Sequence, residues 1–160
     1  MATPDELIAA LEREGETYAS LIAGQSPEAF RRKSGPEEWS AAEQTGHVAE
    51  FPVTFAEQAR RLASDPNVAL GRTLDDAGRL GAVRRLADAD PQQAAEAVRA
   101  GVRQAAEILR RIPADRWSAK GRHGRDGELT VQDVVERFIV AHLRGHVEQV
   151  RATLGAGEGG

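Results

Sequence analysis

The chain has 160 residues, a formal charge of −4, 4% aromatic residues and no cysteine. That length gives one domain able to bury a core without staples, and the lack of cysteine excludes a disulfide framework, a cysteine nucleophile and thiolate metal ligands. The acidic balance argues against nucleic acid as a partner, no apolar run approaches the roughly 20 residues that span a bilayer, and Asp5 and Glu6 stand where a signal peptide carries positive charge, so the expected location is the cytoplasm with no membrane attachment.

Helix caps punctuate the chain. Thr3-Pro4-Asp5-Glu6 is a capping box with proline at the first helical position, which predicts a helix with Leu7, Ile8, Leu11, Tyr18, Leu21 and Ile22 inward and a stop near Gly24. Ser26-Pro27-Glu28 repeats the signal, but Gly35 and Pro36 leave room only for a short turn, so 25–39 reads as a connection. Ser40-Ala41-Ala42-Glu43 is a second capping box and opens a helix to about Ala63, with His47, Phe51, Phe55 and Leu62 in line; Pro52 inside it is expected to bend it. Between 71 and 89 the pattern weakens to Leu80, Val83 and Leu86, a short helix within a long crossover.

Asp90-Pro91-Gln92-Gln93 starts the next helix, which buries Ala94, Val98, Val102, Ala105, Ile108, Leu109 and Ile112 before Pro113 stops it. Residues 114–129, with GRHGRDG at their centre, read as a mobile loop able to rim a site. Thr130, with Asp133 three residues on, caps a last helix striped by Val131, Val134, Val135, Phe138, Ile139, Leu143, Val147 and Val150. The expected architecture is an all-α four-helix bundle over 1–154 with a long crossover between its second and third helices, and 155–160 as a frayed, disordered tail.

The chemistry sits inside the last stripe. His142 and His146 are four residues apart, so one ring stands above the other along the helix and both can converge on one ion. His47, on the inner face of another helix, can complete the site from across the bundle. Taken singly, each is an ordinary core histidine; two at ligand spacing plus a third on a facing helix favour a metal. Neutral imidazoles leave a divalent ion its full charge and an open position, the pattern of a catalytic site. A di-metal carboxylate site is excluded, because Glu-x-x-His is missing: Gln44, Ile139 and Leu143 stand three residues before the histidines.

Glu43 is the capping-box acid and secondarily an acceptor that orients an imidazole. Glu50 is either a fourth ligand or acid/base group, or part of a solvated face. His123 reads as solvated, with substrate contact as the alternative. Trp39 and Trp117 read as lids on the ends of the bundle.

Pro36-x-x-Trp39-Ser40-x-x-Glu43-x-x-x-His47, followed by His142-x-x-x-His146-x-x-Gln149, resembles the DinB-like (YfiT-like) superfamily, which includes the N-terminal domains of mycothiol-dependent maleylpyruvate isomerases. The resemblance implies a four-helix bundle with a crossover and a divalent metal, zinc or nickel, at His47, His142 and His146. It further implies a thiol-dependent transferase or isomerase that uses mycothiol, bacillithiol or glutathione. The isomerase branch carries a carboxylate where this chain has His142. Without a cysteine of its own, the chain needs a thiol from outside, with a small electrophile as its partner. Lys33 and Lys120 are the sole lysines among many arginines, a composition typical of GC-rich genomes that leans toward mycothiol. Water in the thiol's place gives hydrolysis instead, a non-catalytic metal- or ligand-binding bundle of stress response is the alternative, and a homodimer suits a bundle this small.

Overall fold

The computed structural model describes residues 2–156. Helix α1 (Pro4–Ala23) starts where its cap says: Thr3 accepts from the Glu6 amide and Glu6 accepts from the Thr3 amide. A short α2 (Pro27–Arg31) follows, then α3 (Ala41–Leu62), with the reciprocal box between Ser40 and Glu43. Pro52 lies inside α3 without ending it. The crossover holds α4 (Ala77–Arg85), capped by Asp76, and α5 (Pro91–Arg110) begins behind Asp90. The final helix is α6 (Val131–Val134), a π-helical stretch over Val135–Ala141, and α7 (His142–Ala156).

Four long pieces make the bundle: α5 packs against α1 and α3, and the composite last helix closes the ring by packing against α1 and α3 from the other side. The core is aliphatic, with Leu11, Ile22, Leu62, Val98, Leu109, Ile139 and Leu143 almost wholly enclosed. Small residues set the spacing. A Cβ on Gly101 would lie 2.2 Å from the Ala49 carbonyl oxygen, and one on Gly46 would lie 2.1 Å from that of Ala82. Gly46 therefore lets α4 lie directly on α3, beside His47.

Three segments depart from expectation. Residues 114–129 hold a 3-10 turn (Ala114–Arg116) and an antiparallel hairpin of β1 (Lys120–His123) and β2 (Gly127–Thr130), in which Lys120 pairs with Thr130 and His123 with Gly127. Gly127 turns the chain at φ +76°, and bare Gly121 lets the hairpin press on the Leu62 side chain. The strands are short, charged and glycine-rich, so no alternation of apolar residues marks them. Leu80, expected inward, is 38% exposed, because α4 docks through Ala82 and Val83. Helix α7 continues through Gly155 and Ala156; the rest of the expected tail, 157–160, lies outside the described residues.

Trp117 caps the bundle from within, buried and donating from its ring nitrogen to the Ile112 carbonyl at 3.4 Å.

Candidate metal centre

His47 projects from α3, and His142 and His146 from the first turns of α7. One nitrogen from each ring lies within 4.8 Å of the others. The Nε2 atoms of His142 and His146 are 3.0 Å apart, and the His47 ring centroid is 5.4 Å from that of His142 and 4.9 Å from that of His146. Phe51 stacks on His142 at 4.3 Å and backs the cluster with an apolar face.

The π-helical stretch delivers His142. Its wider turn adds a residue to the helical repeat and rotates the phase of the helix beyond it. The His142 amide bonds to the Ile139 carbonyl, and the Phe138 carbonyl lies near enough to the imidazole to favour its protonated form. A ring proton held on the Phe138 side would leave the lone pair of the other nitrogen toward His146.

Burial depresses the basicity of all three rings. His47 is held down to about 2, first by loss of solvent, then by the neighbouring rings and the positive charges of Arg79 and Arg72. His146 falls to about 4 by burial and the proximity of His142. His142 is lowered by burial, partly opposed by the nearby Phe138 carbonyl. All three are neutral at pH 7. The Nδ1 atoms of His47 and His146 are enclosed with no hydrogen-bond partner. Gln149 lies near enough to the His146 ring to favour its protonated form, but no acceptor meets hydrogen-bond geometry at Nδ1. Each such enclosed, unpaired atom costs about 1–3 kcal/mol.

The cluster forms the floor of a cavity of about 400 Å³, walled by Trp39, Phe55, Arg72, Arg79 and Gln149 and edged by Glu37 and Glu38. Trp39 is thus a wall of the site, beyond the lid expected of it. Arg72 and Arg79 escaped sequence reasoning because they come from the weakly patterned crossover. The one signal was Gly46, a glycine beside a candidate ligand where something must pass closely.

The other candidates fall elsewhere. Glu43 completes its capping box and pairs with Lys33 at 3.3 Å; it does not face the imidazoles. The Glu50 carboxylate binds both terminal nitrogens of Arg72, at 2.7 and 2.6 Å, and accepts from Thr54 at 2.6 Å, so it fixes Arg72 rather than joining the histidines. His123, expected in solvent, has a side chain only 12% exposed. Its Nδ1 accepts from the amides of Arg125 and Asp126, and its ring packs 5.2 Å from Phe138 in the wall of an adjoining cavity that shares Phe55, Arg72 and His142 with the first.

A four-helix bundle whose interior opens on three neutral, convergent imidazoles defines a class of protein built to hold a ligand between helices. The family model of the DinB superfamily matches residues 10–150, and the chain belongs to that superfamily. Among solved structures it is similar to YfiT from Bacillus subtilis, with a TM-score of 0.75 at 12% identity, covering 94% of this chain and 85% of that one. YfiT is described as a probable metal-dependent hydrolase with an unusual four-helix bundle topology. No curated protein matches the sequence.

Proposed function

We propose that His47, His142 and His146 hold one divalent ion, zinc or nickel, and that the chain is an enzyme activating a low-molecular-weight thiol, mycothiol or a similar compound, for transfer to an electrophilic small molecule. The observation that carries this is the convergence of three neutral imidazoles, two with unpartnered buried nitrogens, on the floor of an open cavity. The donor set fits: three imidazoles suit zinc and nickel, and the cavity side leaves room for a further ligand.

The residues supply orientation. The Phe138 carbonyl is placed to favour the His142 tautomer that carries its proton on that side. For His146 to offer Nε2 to an ion, its ring proton must sit on Nδ1, where Gln149 is close enough to turn and accept it. Phe51 and Phe55 exclude water from the sides of the cluster. A bound ion would lower the pKa of a thiol or a water in the cavity, giving a nucleophile at neutral pH. The absence of cysteine makes that thiol an external one, and such thiols are abundant in the cytoplasm, where we place the protein. No helix among the described residues is long and apolar enough to cross a membrane.

Metal-dependent hydrolysis is the second reading, favoured by the description of YfiT. Elemental analysis of the purified protein, followed by titration of a cobalt-substituted form with thiols, separates the two. A sulfur-to-cobalt charge-transfer band on thiol addition supports the transferase. Bound metal indifferent to every thiol, with ester or amide hydrolysis, supports the hydrolase. Protein purified and reloaded without any metal uptake sinks both.

A further inference from the structure

We propose that Arg79 is a substrate-binding residue, which anchors a carboxylate on the molecule that enters the cavity above the three histidines. This rests on that cavity being the substrate site, as proposed above, and adds the chemical class: an anionic small molecule.

Arg79 is held but not satisfied. Its guanidinium lies over the Trp39 ring, 4.9 Å from the centroid, and donates once to the Leu74 carbonyl at 2.9 Å. No carboxylate within the described residues forms an ion pair with it. The other arginine of the wall is the contrast: Arg72 is consumed by Glu50 in a two-pronged pair, with Asp76 a further 3.7 Å contact. An arginine has five N–H donors in a planar fork. Pinned by a ring face and one carbonyl, Arg79 keeps most of that fork free at low entropic cost, in the geometry that a carboxylate matches with two parallel bonds.

Its place in the field points the same way. Among the described residues, Arg79 is the one charged group whose influence reaches all three imidazoles, and Arg72 reaches two. The acidic residues on the cavity wall, Glu37 and Glu38, are exposed at its edge and weigh on none of the three rings. Arg79 therefore leaves the cavity wall one positive group with no carboxylate in contact, to which a bound divalent ion would add. A ligand with a negative group at one end and a donor for the metal at the other would neutralise both. A single free guanidinium matches a monoanionic carboxylate better than a dianionic phosphate, which takes more donors.

Trp39 gives a readout independent of metal and of turnover. Its fluorescence is titrated with three thiols that differ in one end group: 3-mercaptopropionate, 2-mercaptoethanol and cysteamine. The purified protein is used both metal-loaded and metal-stripped, with Trp39→Phe identifying the signal against that of Trp117. The expected result is that 3-mercaptopropionate binds at least about tenfold more tightly than 2-mercaptoethanol, the strength of a charge-assisted pair, and cysteamine more weakly than either. Arg79→Gln should erase the preference for the carboxylate over the alcohol, and Arg79→Lys, which keeps the charge but not the fork, should restore part of it.

Equal binding of the carboxylate and the alcohol, or a preference that survives in Arg79→Gln, overturns the assignment. If the protein takes up no zinc or nickel, the metal reading fails, while an Arg79-dependent carboxylate response in the metal-stripped protein still supports the anchor.

Discussion

Thr45 and His47 lie two residues apart on α3, both enclosed, and face different neighbours. Thr45 looks toward α1: its hydroxyl donates to the Ala41 carbonyl one turn back on its own helix at 2.7 Å and meets the Tyr18 hydroxyl of α1 at 3.1 Å. Every polar atom there has a partner, and burial alone pushes the Tyr18 phenol up out of reach of titration. His47 looks toward α7, where two more imidazoles stand and its Nδ1 has no partner. Burial is the same on both sides, and satisfaction is not. A buried polar group that is fully bonded serves the fold; one left open is destabilising by itself and calls for an explanation, a bound ion being one.

The largest test of this contrast is on the dry side. Leu109→Ala in α5, a wholly enclosed position on a helix that carries none of the three histidines, should lower unfolding free energy by about 2–5 kcal/mol in urea titrations. The fraction that stays folded should keep its full metal content, since no ligand is touched. Loss of metal in that folded fraction would mean that the two sides are not separable.

Next comes removal of a ligand. His146→Gln should weaken metal binding by more than about 100-fold, since even the partners that orient a ligand are worth about 10–100-fold. Competition with a chromogenic chelator reads this directly, and an unchanged affinity would leave the cluster without its assigned role.

The two polar residues should then respond with opposite sign in the metal-free protein. Tyr18→Phe removes a satisfied hydroxyl and leaves the Thr45 oxygen with one contact fewer, at a cost of about 1 kcal/mol. His47→Leu removes an unsatisfied one and should stabilise by about 1–3 kcal/mol. Thermal or urea melts of both variants decide it. A destabilised His47→Leu would show that the ring is part of the core's structure after all.

A further test is on pH. The rings are neutral in the folded metal-free protein down to about 4 for His146 and lower for His47, whereas histidines in the unfolded chain take up protons below their usual value near 6.5. The unfolded state thus binds more protons below that point, and stability falls as pH drops through about 6.5. Above it the histidines contribute no slope. Urea midpoints of the metal-stripped protein at pH 7.5 and 5.0 should show the loss, and His47→Leu should reduce it; a flat profile in the native sequence would contradict the burial of the rings.

Much of this was legible in the chain. Capping boxes at Thr3, Ser40 and Thr130 are local chemistry, complete within four residues, so helix starts could be read directly. Apolar spacing gave the inward faces of α1, α3 and α5, and helical geometry put His142 and His146 on one side of one helix. What needed the tertiary structure is whatever depends on distant partners. The four-residue strands of the hairpin are held by each other and by Leu62, not by a pattern of their own. The π-helical turn before His142 is not a property of any one residue in it, and its effect is felt in where His142 points. Arg72 and Arg79 became parts of the site because Gly46 lets a crossover segment settle on α3, more than twenty residues away in sequence. Local hydrogen bonds and periodicity are encoded residue by residue, whereas a cavity wall is made by close approach between segments, and only the folded chain brings those segments together.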